Sequence, residues 1–298
     1  MKLGFIGVGN MGGPMCRNLQ AHDHQMMVHD LNQEALEPFL AKGATSGPSA
    51  AAVAAGSEVV FTSLPRPADV EAVLLGAGGI AEGAKPGTVV VDLSTNAPSV
   101  ARKVAEALAE RGLPMLDAPV SGGVTGAAAA TLAVMVGGDK EVFDRVEPLL
   151  GHIGKNVFFV GGPGAGCTVK LINNMLSFCN LTAAGEGFLL GVRAGIDPDV
   201  LLEVMRAGSG NSAALIKFDR KILNGNFETE FALDLAHKDL RLALQLGDEQ
   251  GASLMIGGLV INLMRQAVAR GYGPLDSSAL VRALEAPLGW EVRREKKE

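Results

Sequence analysis

The chain reads as an α/β domain over residues 1–163 followed by an all-α domain over 164–298, and three features say so. Up to about residue 160, short apolar runs alternate with amphipathic stretches, the rhythm of strand–helix–strand units. Beyond that point nearly every periodic segment is helical. The two textures meet at Gly161-Gly-Pro-Gly-Ala-Gly-Cys-Thr-Val-Lys170-Leu-Ile-Asn-Asn174, where a glycine-rich turn passes into a long apolar helical run. A length of 298 residues suits two domains at roughly 100–200 residues each.

The first element is the apolar strand Leu3-Gly-Phe-Ile-Gly7, which runs into Gly7-Val-Gly9-Asn10-Met11-Gly12 and then into a helix with Met11, Met15 and Leu19 four apart. Strand, G-x-G-x-x-G and helix in that order make a Rossmann-type dinucleotide site. The glycines give a tight turn, close approach of backbone to a pyrophosphate, and close packing of helix on strand. A second strand, Met26-Met-Val-His-Asp30, ends in an acid 18 residues beyond Gly12. Asp30 is placed to accept hydrogen bonds from an adenosine ribose and to repel a 2′-phosphate, so NAD is expected in preference to NADP. Its alternative role is to cap the next helix. Asn32 already suits that cap, ahead of Ala35, Leu36, Phe39 and Leu40 on one face and Gly43 as the stop.

Val59 to Pro65 and Thr88 to Asp92 read as buried parallel strands. Ligands in such sheets lie beyond the carboxyl ends of strands, which puts Leu64, Pro65 and Thr95 beside the cofactor; Thr95 is also placed to cap the helix of about Ser99 to Arg111. Next comes Met115-Leu-Asp-Ala-Pro-Val-Ser121-Gly122-Gly123, whose hydroxyl and exposed backbone N–H groups suit a carboxylate, or form a plain turn. Leu132 to Val136, Lys140 to Leu150 and Asn156 to Val160 complete the domain as strand, helix and strand. The helix that follows, about Gly166 to Ala194, is roughly 43 Å long at ~1.5 Å per residue. Lys170 and Asn174 share one face of it and are expected to look into an interdomain cleft. Asp197-Pro198 opens another helix, and Leu233 to Gln250 and Ile256 to Arg270 are two more.

Composition narrows the function. A net charge of −6 with scattered basic residues excludes a nucleic-acid surface, and 48% apolar residues supply a large core. Three separated cysteines, Cys16, Cys167 and Cys179, indicate a reducing compartment, and Met1-Lys2 leads straight into a strand, so a cytoplasmic location is expected. The apolar run Val169 to Val192 is interrupted by Asn173, Asn174, Asn180 and Glu186 and reads as a buried helix rather than a membrane span. The five histidines read as surface or satisfied residues, and no metal site is assigned. Glu291 to Glu298 reads as a solvated, frayed tail.

Taken together, Gly4 to Gly12, Asp117-Ala-Pro-Val-Ser-Gly-Gly123, Gly164-Ala-Gly-Cys-Thr-Val-Lys-Leu-Ile-Asn-Asn174 and Lys238-Asp-Leu240 resemble the β-hydroxyacid dehydrogenases, the family of 3-hydroxyisobutyrate dehydrogenase and tartronate semialdehyde reductase. The likeness spans nearly the whole chain. It implies an NAD(H)-dependent oxidoreductase interconverting a small 3-hydroxy acid and its semialdehyde. By it Lys170 is the catalytic lysine, Ser121, Gly122, Gly123 and Asn174 hold the substrate, and Lys238 reaches the active site beside the nicotinamide. Two positions depart from the pattern. Ala130 stands where the family usually has glycine, and Gly208-Ser-Gly-Asn-Ser212 lacks an aromatic residue that 3-hydroxyisobutyrate dehydrogenases carry nearby.

Oxidising an alcohol requires a base for the hydroxyl proton. A free lysine, with a pKa of about 10.4, must be brought down to serve. Asn174, which does not titrate, would orient the substrate oxygen. A non-catalytic NAD(H)-sensing module and an imine reductase are the alternatives; the first has no use for Lys170, Asn174 and Ser121 together, and members of the second usually replace the lysine. Phosphogluconate chemistry needs a basic cluster that is not found. The length of apolar helix predicts a homodimer or homotetramer.

Overall fold

The computed structural model describes residues 1–294, and packing divides the chain into one unit of Met1–Lys170 and a second from Leu171 onward. Among the described residues the first unit holds one sheet, of strands β1 (Lys2–Ile6), β2 (Gln25–His29), β3 (Thr45–Ser46), β4 (Val59–Thr62), β5 (Val89–Asp92), β6 (Met115–Asp117), β7 (Val120–Ser121), β8 (Ala133–Gly137) and β9 (Asn156–Gly161). Their order is β3-β2-β1-β4-β5-β6-β8-β7, with β9 also paired to β8. From β3 to β6 every pairing is parallel. β8 runs antiparallel to β6 and β7, an edge that the sequence rhythm did not separate from the rest.

Alternation along the strands builds two cores. Leu3, Phe5, Val59, Phe61, Val89 and Val91 join one apolar cluster, while Ile6, Val60 and Val90 join the other. This is the period of two that makes a doubly covered sheet out of continuous apolar runs. The covering helices are α1 (Gly12–Gln20), α2 (Glu37–Leu40), α3 (Ala50–Ala55), α4 (Pro67–Leu75), α5 (Ile80–Gly83), α6 (Pro98–Ala109), α7 (Gly123–Ala128) and α8 (Lys140–Leu150). Asn32 caps the segment before α2 through Glu34 N–H, as expected. However, Gln33–Leu36 is a 3₁₀ turn, so the single apolar face breaks there; Leu36 and Phe39 are buried and Leu40 is exposed.

α9 (Ala165–Arg193) begins in the first unit and continues into the second. There it is followed by α10 (Pro198–Ala207), α11 (Ala214–Lys217), α12 (Leu233–Glu249), α13 (Met255–Ala269) and α14 (Val281–Glu285). Asp197 caps α10 through the N–H groups of Asp199 and Val200, with Pro198 in the first turn. Phe178, Leu181, Phe188, Phe218, Leu240 and Met264 are among the residues that form this unit's core.

Three expectations are corrected. α9 is not a wholly buried helix: only 28% of its most apolar 18-residue window is buried, because apolar residues occupy more sides than one core can cover. By length and composition alone it is long enough and apolar enough to cross a membrane. Residues 291–294 are not a frayed tail. Val292 is fully buried, Arg293 pairs with Glu285 at 2.6 Å, and Arg294 with Asp219 and Asp199 at 2.6 and 2.8 Å; residues 295–298 lie outside the described ones. The histidines are not all satisfied, since His24 has neither ring nitrogen hydrogen-bonded. His22 and His24 flank Asp23, and the His22 and His152 rings stack at 3.6 Å. Burial holds His24 and His152 below the usual histidine range.

Ala130 adopts φ +54°. That is the left-handed region where a side chain costs roughly 1 kcal/mol and glycine costs little, so the departure at this position carries a strain.

Candidate functional site

Strands β1 to β6 all end on one edge of the sheet. Along it, in the order β2-β1-β4-β5-β6, the chain continues into Asp30, Gly7 to Gly12, Leu64-Pro65, Ser94-Thr95 and Ala118 to Ser121. The order reverses direction beside β1, which is where such sheets open a crevice for a ligand. The glycines there divide by cause. Gly7 has φ +88°, and a side chain on it would strike the Ser63 carbonyl; one on Gly12 would strike the Gly7 carbonyl. Both are glycine because of this chain's own backbone. A side chain on Gly9 would meet nothing within 4 Å, so the space over Gly9 is left clear by the protein. α1 has no acid in its first turn and no side-chain cap. A clear glycine and uncapped N–H groups at a helix start suit a pyrophosphate, and Asn10 and Met11 lie in that turn.

Asp30 holds the loop as well as facing its edge. Its Oδ2 accepts from Val8 N–H and its Oδ1 from Asn32 N–H, both at 2.8 Å. A carboxylate has about four acceptor positions, so ribose hydroxyls still find room. Leu31 beside it is 94% exposed. Ser94 Oγ accepts from Leu64 N–H at 2.8 Å and ties two of the loops together. The cap position of α6 is Ala97 rather than Thr95, and it carries no side-chain hydrogen bond.

Ser121 ends β7, and Gly122 and Gly123 both have positive φ, +138° and +66°. The two glycines turn the chain into α7, and a side chain on Gly123 would meet nothing within 4 Å. Lys170 and Asn174 are buried, at 9% and 7% exposure. A lysine that reads as a surface residue on periodicity alone is therefore a buried one, four residues from a buried amide on the same helix.

Three carboxylates at or near these groups were not singled out from the sequence. Asp239 is 1% exposed; its Oδ2 accepts from Asn174 Nδ2 at 2.7 Å, and its Oδ1 lies 3.1 Å from Lys238 Nζ. Lys238 thus pairs with its neighbour Asp239. Asp117, at the end of β6, accepts from Gly164 N–H at 2.7 Å and from Cys167 N–H at 2.8 Å. Burial raises its carboxyl above the usual range, against the pull of those two bonds. Burial also raises all three thiols, leaving Cys16, Cys167 and Cys179 protonated and poorly nucleophilic.

Asp92, opposite Asp117 in the register of β5 and β6, is fully buried and raised to about 6 by desolvation. Thr62 Oγ1 and Ser94 N–H donate to its Oδ1, while Oδ2 has no partner. A raised carboxyl supports the fold below the ordinary carboxylate range and loses that support as pH rises through about 6. Asp92→Asn keeps the Oδ1 acceptor and cannot ionise. It is expected to match the parent's unfolding midpoint below about pH 4 and to exceed it at pH 8, by roughly 1–3 kcal/mol. Urea melts at the two pH values measure this, and an advantage that does not grow with pH would count against it.

Among the described residues, no group of three or more His, Cys, Asp or Glu is arranged to hold a metal ion.

Residues 2–162 match the family model described as the NAD binding domain of 6-phosphogluconate dehydrogenase, and residues 164–284 match that described as NAD-binding of NADP-dependent 3-hydroxyisobutyrate dehydrogenase. The 2-(hydroxymethyl)glutarate dehydrogenase of Eubacterium barkeri is 40% identical, over 98% of this chain and 97% of its own length. The 2-hydroxy-3-oxopropionate reductase of Escherichia coli K12 is 39% identical, over 96% and 97%. A solved structure of the Mycobacterium tuberculosis 3-hydroxyisobutyrate dehydrogenase with L-serine superposes with a TM-score of 0.87 at 33% identity, covering 95% of this chain and 98% of the other.

Proposed function

The chain belongs to the β-hydroxyacid dehydrogenase family, and from that premise we propose that it interconverts a small 3-hydroxy acid and its semialdehyde, with Lys170 as the general acid/base. The observation that carries this reading is a buried lysine and a buried amide four apart on α9, in a chain whose sheet edge has the clear Gly9 turn. NAD⁺ supplies the hydride acceptor. Gly7, Gly9, Asn10, Met11 and Gly12 would hold its pyrophosphate, Asp30 its adenosine ribose, and Leu64, Pro65 and Thr95 the nicotinamide half. Ser121 and the N–H groups of Gly122 and Gly123 bind the substrate carboxylate; Lys170 takes the hydroxyl proton in oxidation and returns it in reduction. Asn174 donates to or accepts from the substrate oxygen without competing for the proton. Lys238, tied to Asp239, presents a cation beside the nicotinamide.

The relatives are dehydrogenases and reductases, so a non-catalytic sensing module is set aside, and a retained lysine speaks against an imine reductase. The test is a panel of 3-hydroxy acids, their semialdehydes and the matching primary alcohols, followed by NADH absorbance. Acids are expected to turn over and alcohols of equal size to do so poorly; equal turnover would remove the role given to Ser121-Gly122-Gly123.

Asp30 and Leu31 favour NAD over NADP. The double variant Asp30→Asn, Leu31→Arg exchanges an acceptor for a fork-shaped cation and is expected to move kcat/KM toward NADP. A parent enzyme that used both cofactors equally, or a variant with no shift, would show that Asp30 does not read the ribose.

In the second unit Ile172, Leu176 and Leu190 of α9 and Met255, Ile256 and Leu259 of α13 stand exposed. Apolar stripes of this kind are ordinarily covered, and a second copy of the chain is the proposed cover. Light scattering is expected to give a dimer or tetramer at micromolar concentration, and a monomer would refute it.

A further inference from the structure

α9 lacks the means to cap its own start. Its cap position is Gly164, which has no side chain and stands at φ +83° rather than in the extended region usual for a cap, and no acid lies in its first turn. The two N–H groups that a capping box satisfies, at the cap and three residues on, are those of Gly164 and Cys167. Both donate to Asp117, one to each carboxylate oxygen, from 47 and 50 residues away in sequence.

The surroundings are shaped for that carboxylate. A side chain on Gly137 of β8 would come within 2.6 Å of Asp117 Oδ1, and one on Gly166 would strike the Asp117 and Met135 carbonyls. Glycine at both places lets the first turn of α9 seat directly on the sheet. Beyond Asp117 the chain stays bonded to that sheet: Ala118 N–H donates to the Asp92 carbonyl at 2.7 Å, Met135 N–H to the Pro119 carbonyl at 3.0 Å, and Val120 pairs with Val134. Four residues after Asp117 comes Ser121. Three residues after Cys167, on the same side of the helix, comes Lys170.

We propose that Asp117 is the positioning residue of the reaction, fixing Lys170 of α9 relative to the Ser121-Gly122-Gly123 loop by holding the helix start against the strand that leads into the loop. The proposal rests on the reading of Lys170 as the acid/base. An isosteric amide cannot replace the carboxylate, because one of its two heads is a donor and meets a backbone donor. A helix start freed on one side moves the lysine, and a displacement of about 1 Å in a reacting group can cost up to ~10²-fold.

The experiment compares the parent and Asp117→Asn by hydrogen exchange over residues 164–170 and by steady-state kinetics. Exchange there is expected to quicken, kcat to fall ~10–100-fold, and the KM for NAD to stay within about twofold. A purely structural role would lower the active fraction or raise the NAD KM as well, and that result would overturn the proposal. So would quickened exchange with kcat unchanged, or unchanged exchange. If Asp117→Asn does not fold, Asp117→Ser, which leaves room for water at the two N–H groups, is read by the same criteria. Lys170→Ala is measured alongside. Its retention of turnover would sink the acid/base reading, while exchange in Asp117→Asn would still report on the clamp.

Discussion

Lys170→Ala is expected to fold and bind NAD like the parent and to lose ~10²–10⁴-fold in kcat, the range that a positioned acid/base group supplies. The loss belongs in kcat rather than in the cofactor KM, because the proton moves only in the chemical step. Burial adds a structural consequence. Lys170 is 9% exposed, so alanine leaves space inside the protein, and a modest fall in melting temperature accompanies the kinetic loss. Lys170→Arg separates the two effects: arginine fills the space and keeps a charge but does not release its proton at working pH. It is expected to restore stability and to leave turnover as low as in the alanine variant. Near-normal turnover in either variant would end the mechanism proposed here.

Much of the first unit could be read from sequence because its signals are local. A strand such as Val59–Thr62 is apolar up to its closing threonine, and Gly12 is dictated by the carbonyl of Gly7 five residues back. Helix starts written as Asn32 or Asp197-Pro198 are local as well. What escaped was set by distance. Asp92 and Asp117 close apolar runs and Asp239 follows Lys238, but in a chain with 32 acidic residues nothing local says which groups each of them holds. The partners Thr62, Gly164 and Asn174 lie 30, 47 and 65 residues away, so those bonds exist only in the fold. The charged stretch after Glu291 misled for the same reason, since Arg293 and Arg294 are tied to Glu285, Asp199 and Asp219 rather than to water.

At the site itself the sequence made Lys170 and Asn174 legible as a pair by spacing, and left out the group that orients the second of them. Asp239 is that group, and the other large effect is expected there. One carboxylate oxygen accepts from Asn174 Nδ2 and the other lies against Lys238 Nζ. Asp239→Asn can satisfy only one of them: turned so that its oxygen accepts from Asn174, it puts an NH₂ against an ammonium, and turned the other way it puts NH₂ against NH₂. Hydrogen bonds to charged groups are worth about 1.5–3 kcal/mol, which converts to a loss of roughly 10–150-fold in kcat/KM. The effect should exceed that of Lys238→Met, which removes one partner and leaves Asn174 held by the carboxylate. If Asp239→Asn were the milder of the two, Asn174 would owe its orientation to Asn173, whose Nδ2 donates to Asn174 Oδ1 at 3.1 Å, and the carboxylate would serve Lys238 alone.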